Sequence, residues 1–204
     1  PQLRATATVL SEDQNWTTTV YGTTPEYFLV RTWAVAHGSG LSQSDLDAGT
    51  KVVVLGQTVV DKIFGPNADP VGQVVRVKNV PFNVIGVLSK KGQSQFGQDF
   101  DDAVFVPTST FLQKSQGGLG NDPAGPIMVS AAGAAATSRA ETQIRGLLRD
   151  RHHLQPGTDD DFSIRNHAEL ASASQEGTRT LTTLLAAIAA VSLLVGGIGI
   201  MNIM

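Results

Sequence analysis

From Thr180 to Met204 the chain carries no Asp, Glu, Lys or Arg, whereas the 179 residues before that point hold all 33 of its charged side chains, 15 basic and 18 acidic. The apolar extreme is 184–204, where the only polar side chains are Ser192 and Asn202. Wound as a helix this stretch measures ~32 Å, enough to cross a hydrocarbon core of ~30 Å. A helix apolar on every side suits two surroundings, lipid or the centre of a large soluble core. The remaining residues make only a modest domain, so 184–204 reads as a transmembrane helix. Small residues point the same way. Ala186 and Ala190, and Ser192 and Gly196, are spaced four apart, with Gly197 and Gly199 close by. Such faces let helices approach closely in lipid, and these six residues are the expected packing face against a partner helix.

With its apolar end, the chain reads as a piece of a longer membrane protein. A net charge of −3 supplies no basic field for a polyphosphate backbone, which disfavours nucleic acid as a partner. Zero cysteines exclude a disulfide framework and thiolate metal sites. A hydrophobic content of 41% is compatible with a packed core ahead of the span.

Along the chain, RATATVL at 4–10 and WTTTVY at 16–21 flank the polar SEDQN, a hairpin pattern rich in β-branched residues. A short helical turn is expected at 26–30, and AHGSG at 36–40 reads as a loop. KVVVL at 51–55 reads as a buried strand and 58–64 as a helix stopped by Gly65 and Pro66. Strands at 73–77 and 82–88 flank Lys78-Asn79 as a second hairpin, and the Gln-rich 92–102 reads as a mobile loop. A strand at 103–106 is closed by Pro107, with Thr108 placed to cap a helix through Lys114. Four glycines and two prolines make 117–126 a linker. A strand, helix, strand unit follows: strands at 127–131 and 161–165 around a helix that Ser138 and Glu141 open as a capping box and that stops near His152-His153. Asn166 and Glu169 repeat that spacing and open a helix that no proline interrupts before Met204. Its length is about 38 residues or ~57 Å, with Gly177 as its weak point before the span.

The chemistry of these residues argues against an enzyme. There is no G-x-x-x-x-G-K-[ST] loop, and the glycines at 196–199 follow no strand, so no nucleotide cradle is expected. GQSQFG at 92–97 misses the nucleophile elbow by one residue. His152, His153, Asp159, Asp160, Asp161 and His167 could gather a metal, but adjacent histidines diverge by about 100° on a helix, and three aspartates before a strand make a solvated turn. His37, in a glycine loop, reads as conformational. The expectation is no catalytic, cofactor or metal site.

Several segments carry a family resemblance: GTTPEYF at 22–28, VVLG at 53–56, DPVG at 69–72, PFNVIGV at 81–87, Val106-Pro107 and LVGGIGIMNIM at 194–204. The chain resembles the MacB-type ABC transporter permeases over essentially its whole length. The resemblance implies an α+β fold: a mixed α/β porter-like subdomain with a β-rich sabre-like subdomain inserted in it, then a long helix entering the membrane. Carried onto this chain, the porter-like part is 1–25 and 122–170 and the sabre-like part 26–121. A stalk helix occupies 166–183, and 184–204 begins transmembrane helix 2. The resemblance further implies an inner-membrane location with the folded part extracytoplasmic, a homodimer, and a cytoplasmic ATPase domain or subunit. A periplasmic adaptor and an outer-membrane channel are the partners of an export assembly. The function it implies is efflux or export driven by conformational change. Relatives that release lipoproteins or regulate cell-wall hydrolases are the second implied reading, and a membrane-anchored enzyme built on the His/Asp cluster is the third class.

Overall fold

The computed structural model describes residues 2–11, 14–66, 68–94, 97–113, 125–166 and 177–193. The chain divides into two compact units, Pro1–Ser130 and Ala131–Met204.

In the first unit, seven strands among the described residues form one mixed sheet in the order β3-β6-β4-β7-β2-β1-β5, with β5 also pairing with β6. They are β1 Gln2–Leu10, β2 Asn15–Thr23, β3 Val35–Gly38, β4 Val52–Leu55, β5 Val74–Val77, β6 Val80–Leu88 and β7 Ala103–Pro107. β6 closes the sheet on itself: β5 pairs with its first half, β3 with its second half, and β4 runs parallel to it from Asn83 to Val87. Both expected hairpins form. β1 and β2 pair antiparallel along their full length, and Lys78 and Asn79 turn β5 into β6 with φ of 45° and 68°, the left-handed pair that a tight primed turn requires.

Alternate residues of β2, β4 and β7 enter two different cores. Val20, Val53, Leu55, Val104 and Val106 belong to one cluster with Phe82, Phe111 and the helical residues Val59, Val60 and Ile63. Val54, Ala103 and Phe105 belong to a second cluster with Tyr27, Phe28, Trp33 and Leu88. Apolar packing on both faces is why VVVL and AVFVP are continuous runs rather than alternating ones. The short helices α1 Glu26–Val30, α2 Gln43–Ala48, α3 Gln57–Ile63 and α4 Thr108–Gln113 lie between and after the strands.

Several sequence expectations are corrected. Residues 36–38 belong to β3, where glycine serves close backbone approach: a Cβ on Gly38 would lie 2.2 Å from the Ile85 carbonyl oxygen, and one on Gly86 2.2 Å from that of Ser39. The described residues of 92–102 are held by hydrogen bonds rather than loose. The buried Asp101 accepts N–H bonds from Lys91 (2.8 Å) and Gly92 (2.9 Å), its own N–H reaches Asp99, and Asp99 also accepts from Thr58. The segment expected as a strand at 127–131 joins no strand of the sheet; just ahead of it the Gln2 N–H donates to the Pro126 carbonyl. Thr108 is the first residue of α4, and its buried hydroxyl has no partner among the described residues. Within the first unit, β1 pairs with β5 and β2 with β7.

The second unit contains a 3-10 turn, Ala134–Ala136, running into α5, Thr137–Arg151, and a helix over 177–193 that we call α6. Because the 3-10 turn feeds the helix directly, Ser138 lies inside the first turn. Ala136 sits at the cap without a side-chain bond, and Glu141 pairs with Arg145 instead. The strand expected at 161–165 is irregular, with no described strand in this unit to pair with. Asn166 is outside any helix, whereas Glu169 and the join to α6 lie outside the described residues.

Two substitutions test these backbone constraints. Gly56→Ala places a Cβ 2.2 Å from the Asp101 carbonyl oxygen and is expected to lower stability by about 1–3 kcal/mol in urea unfolding. His153, at φ 54° just beyond α5, is the opposite case: His153→Gly relieves left-handed strain and should raise stability by about 1 kcal/mol.

Candidate functional site

Three features gather chemistry. The first is centred on Phe105 of β7, whose ring meets Tyr21 (5.3 Å, stacked), Phe28 (5.4 Å), Trp33 (5.5 Å) and Tyr27 (5.7 Å). Strand register supplies Tyr21, which pairs across with Phe105 on one side and Arg4 on the other. Helix α1 supplies Tyr27 and Phe28, and the Trp33 indole donates to the Ser89 carbonyl (2.8 Å). Cations rim the cluster. The Arg31 guanidinium lies 5.5 Å from the Phe100 ring centre, and the Lys91 ammonium 5.1 Å from that of Trp33 while donating to the Arg31 carbonyl. Met128 packs against the same cluster.

Burial raises the Tyr21 and Tyr27 hydroxyls above the usual phenol range, and the neighbouring charges of Arg4 and Arg31 at Tyr21, and of Arg31 at Tyr27, oppose the rise. Lys91 is lowered, first by burial and then by Arg31, with Asp101 opposing.

The second feature is the His/Asp segment after α5, which the structure assembles as a staple. The Arg149 guanidinium donates to the carbonyls of Gln155 (3.0 Å) and Thr158 (2.9 Å) and pairs with Asp160, which Arg145 also approaches at 3.5 Å. His152 Nδ1 lies 2.9 Å from Asp161, and its ring meets Phe162 edge-on. Of the three aspartates weighed as metal ligands, Asp160 is thus engaged by Arg and Asp161 by His. Among the described residues no group of three such side chains is placed to hold a metal.

The third feature is α6. Leu181, Leu184, Leu185, Ile188, Val191 and Leu193 are all exposed on it, as are the expected packing residues Ala186, Ala190 and Ser192. Gly196, Gly197 and Gly199 lie outside the described residues. The hydroxyls of Thr182, Thr183 and Ser192 each donate at 2.9 Å to the carbonyl four residues back, so they are satisfied without water. Among the described residues no helix is long and apolar enough to cross a membrane.

Solved structures share this architecture. The periplasmic region of MacB from Actinobacillus actinomycetemcomitans matches with a TM-score of 0.64 at 26% identity, covering 86% of this chain and 74% of that one. The extracellular domain of the noncanonic ABC-type transporter YknZ from Gram-positive bacteria has the same fold, with a TM-score of 0.60 at 20% identity over 81% of this chain and 79% of its own. The class so defined is the extracytoplasmic domain of ABC-type permeases. Residues 1–147 match the model of the MacB-like periplasmic core domain, and the chain belongs to that family. Its curated relatives include the macrolide export ATP-binding/permease protein MacB of Rhodospirillum rubrum, 41% identical over 97% of this chain and 29% of that protein. Another is the pyoverdine export ATP-binding/permease protein PvdT of Pseudomonas fluorescens, 39% identical over 88% of this chain and 26% of that protein. The chain therefore spans less than a third of the length of these relatives.

Sequence reasoning missed the Phe105 cluster. Its only trace was the unbroken apolar run at 103–106, which signals a strand buried on both faces but not which rings meet there.

The shifted groups set an alkaline stability profile. Stabilisation from the neutral Tyr21 and Tyr27 is full below their unfolded value of about 10 and is lost as pH rises through the folded values, because the unfolded chain gives up those protons first. Lys91 works in the opposite sense, since the folded state sheds its proton first. Between about pH 9 and about pH 11, the Tyr21→Phe/Tyr27→Phe variant should lose less stability in urea unfolding than the parent.

Proposed function

We propose that this chain is the extracytoplasmic domain of a MacB-like export permease of the inner membrane, in which cytoplasmic ATP hydrolysis drives conformational change of the extracytoplasmic part. The observation that carries the reading is α6. After Arg179 it bears no charged side chain, its leucines and isoleucine face outward, and its hydroxyls turn back onto their own helix. Such a surface is costly in water and suited to lipid, where backbone and side-chain polar groups must be satisfied internally. In this reading the helix continues through 194–204 into the bilayer as transmembrane helix 2. The Ala186/Ala190 and Ser192/Gly196 faces, with Gly197 and Gly199, pack there on a neighbouring helix.

The porter-like and sabre-like division, a stalk over 166–183 capped by Asn166 and Glu169, and a homodimer belong to the same reading. So do a fused or separate ATPase, a periplasmic adaptor and an outer-membrane channel. The names of the MacB and PvdT relatives, both export permeases, support export over lipoprotein release.

A helix that transmits motion must be continuous. Thr182→Pro in the full-length transporter removes one N–H bond and forces the ring against the preceding turn, which costs about 3 kcal/mol or more locally. The expected outcome is ATP hydrolysis retained with export reduced at least about tenfold, while Thr182→Ala exports normally. Unchanged export by the proline variant would remove the transmission role.

A further inference from the structure

The rim of the aromatic cluster carries three cations, Arg4, Arg31 and Lys91, that no carboxylate pairs with among the described residues. The acids in the neighbourhood are engaged elsewhere: both Asp101 oxygens take backbone N–H groups, and the exposed Glu26 lies in the first turn of α1. Arg4 stands beside Tyr21 in the β1–β2 register, Arg31 lies over Phe100, and Lys91 lies over Trp33. Leu29, which lies between Tyr27 and Arg31 in the sequence of α1, is 79% exposed.

We propose that Arg4, Arg31 and Lys91 at the rim of the Phe105 ring cluster, with the exposed Leu29 on the adjoining helix α1, form a docking surface for an acidic segment of a partner protein. The inference goes beyond the coupling role of α6 and does not depend on it. Charge complementarity selects the occupant. Aromatic rings hold two of the cations in place, so little side-chain freedom is lost when carboxylates bind, and arginine's planar fork matches a carboxylate with two parallel bonds. One exposed leucine beside arginine and buried aromatics has the composition of a protein-recognition hot spot. A lipid surface fits less well. Interfacial binding scales with apolar area inserted, and Trp33, Tyr27 and Phe28 are only 5–7% exposed, which leaves Leu29 alone to insert.

The test replaces Leu29 with photoreactive benzoylphenylalanine in the full-length protein, crosslinks in intact cells and maps the adduct by mass spectrometry. The expected adduct lies on a different protein, at a segment with several Asp or Glu residues. Its yield should fall about tenfold in Arg4→Glu/Lys91→Glu and about threefold in Arg4→Glu alone. The single variant guards against misfolding, because Arg4 is an exposed strand residue outside the ring cluster. Sedimentation with phosphatidylglycerol vesicles is the companion measurement. The proposal is overturned by no adduct, by an adduct on lipid, on a second copy of this chain or on a segment without acids, by yields that ignore the charge reversals, or by vesicle binding that Arg4→Glu abolishes.

Discussion

Closure of the sheet by β6 is the constraint on which the first unit rests. One nine-residue strand pairs with three others, which is feasible because β5 uses its first half and β3 its second. Where β3 meets it, the two backbones come too close for any side chain at Gly38 or Gly86. With pairing satisfied around the ring, the strands are free to bury both faces. One face fills with branched aliphatics around Phe82 and Phe111, and the other with rings around Phe105.

That double burial explains how the cations come to be where they are. A ring cluster of this size would be an aggregation hazard if left open, and its boundary instead carries cations whose charged ends lie over aromatic faces. Arg31 and Lys91 therefore have a packing role whatever binds them, and the same packing fixes the charges relative to each other. The aliphatic core has a similar contact: Lys62 lies 5.0 Å from the ring centre of Trp16, which packs against that core, and the Trp16 indole donates to Asp102 (2.8 Å).

Local pattern was legible wherever the determinant was local. The β1–β2 and β5–β6 hairpins, α1, α3, β4 and β7 follow from β-branched runs, turn residues and a Gly-Pro stop within a few positions of each other. What failed depended on distant partners. Segments 127–131 and 161–165 have strand composition but join no described strand, whereas 36–38 has loop composition but pairs with β6. The polar 92–102 looked mobile because nothing nearby announces that Asp101 turns inward to hold two backbone N–H groups. The apolar character of the tail was plain in composition, and its exposed leucines along α6 agree with it. The Phe105 cluster was invisible because its five rings come from four separate segments.

The pairing of β2 with β7 has a kinetic consequence. These parallel neighbours are contributed by residues 19–23 and 103–107, so more than eighty residues must be made before β2 gains its second neighbour. The β1–β2 hairpin can zip at once, but it waits with one flank unsatisfied until the last strand arrives, and the entropy of closing so long a loop falls on that late step. Folding of this unit is thus gated by its final strand, and a chain interrupted ahead of Ala103 would keep a bare ribbon edge open to whatever neighbour it meets first.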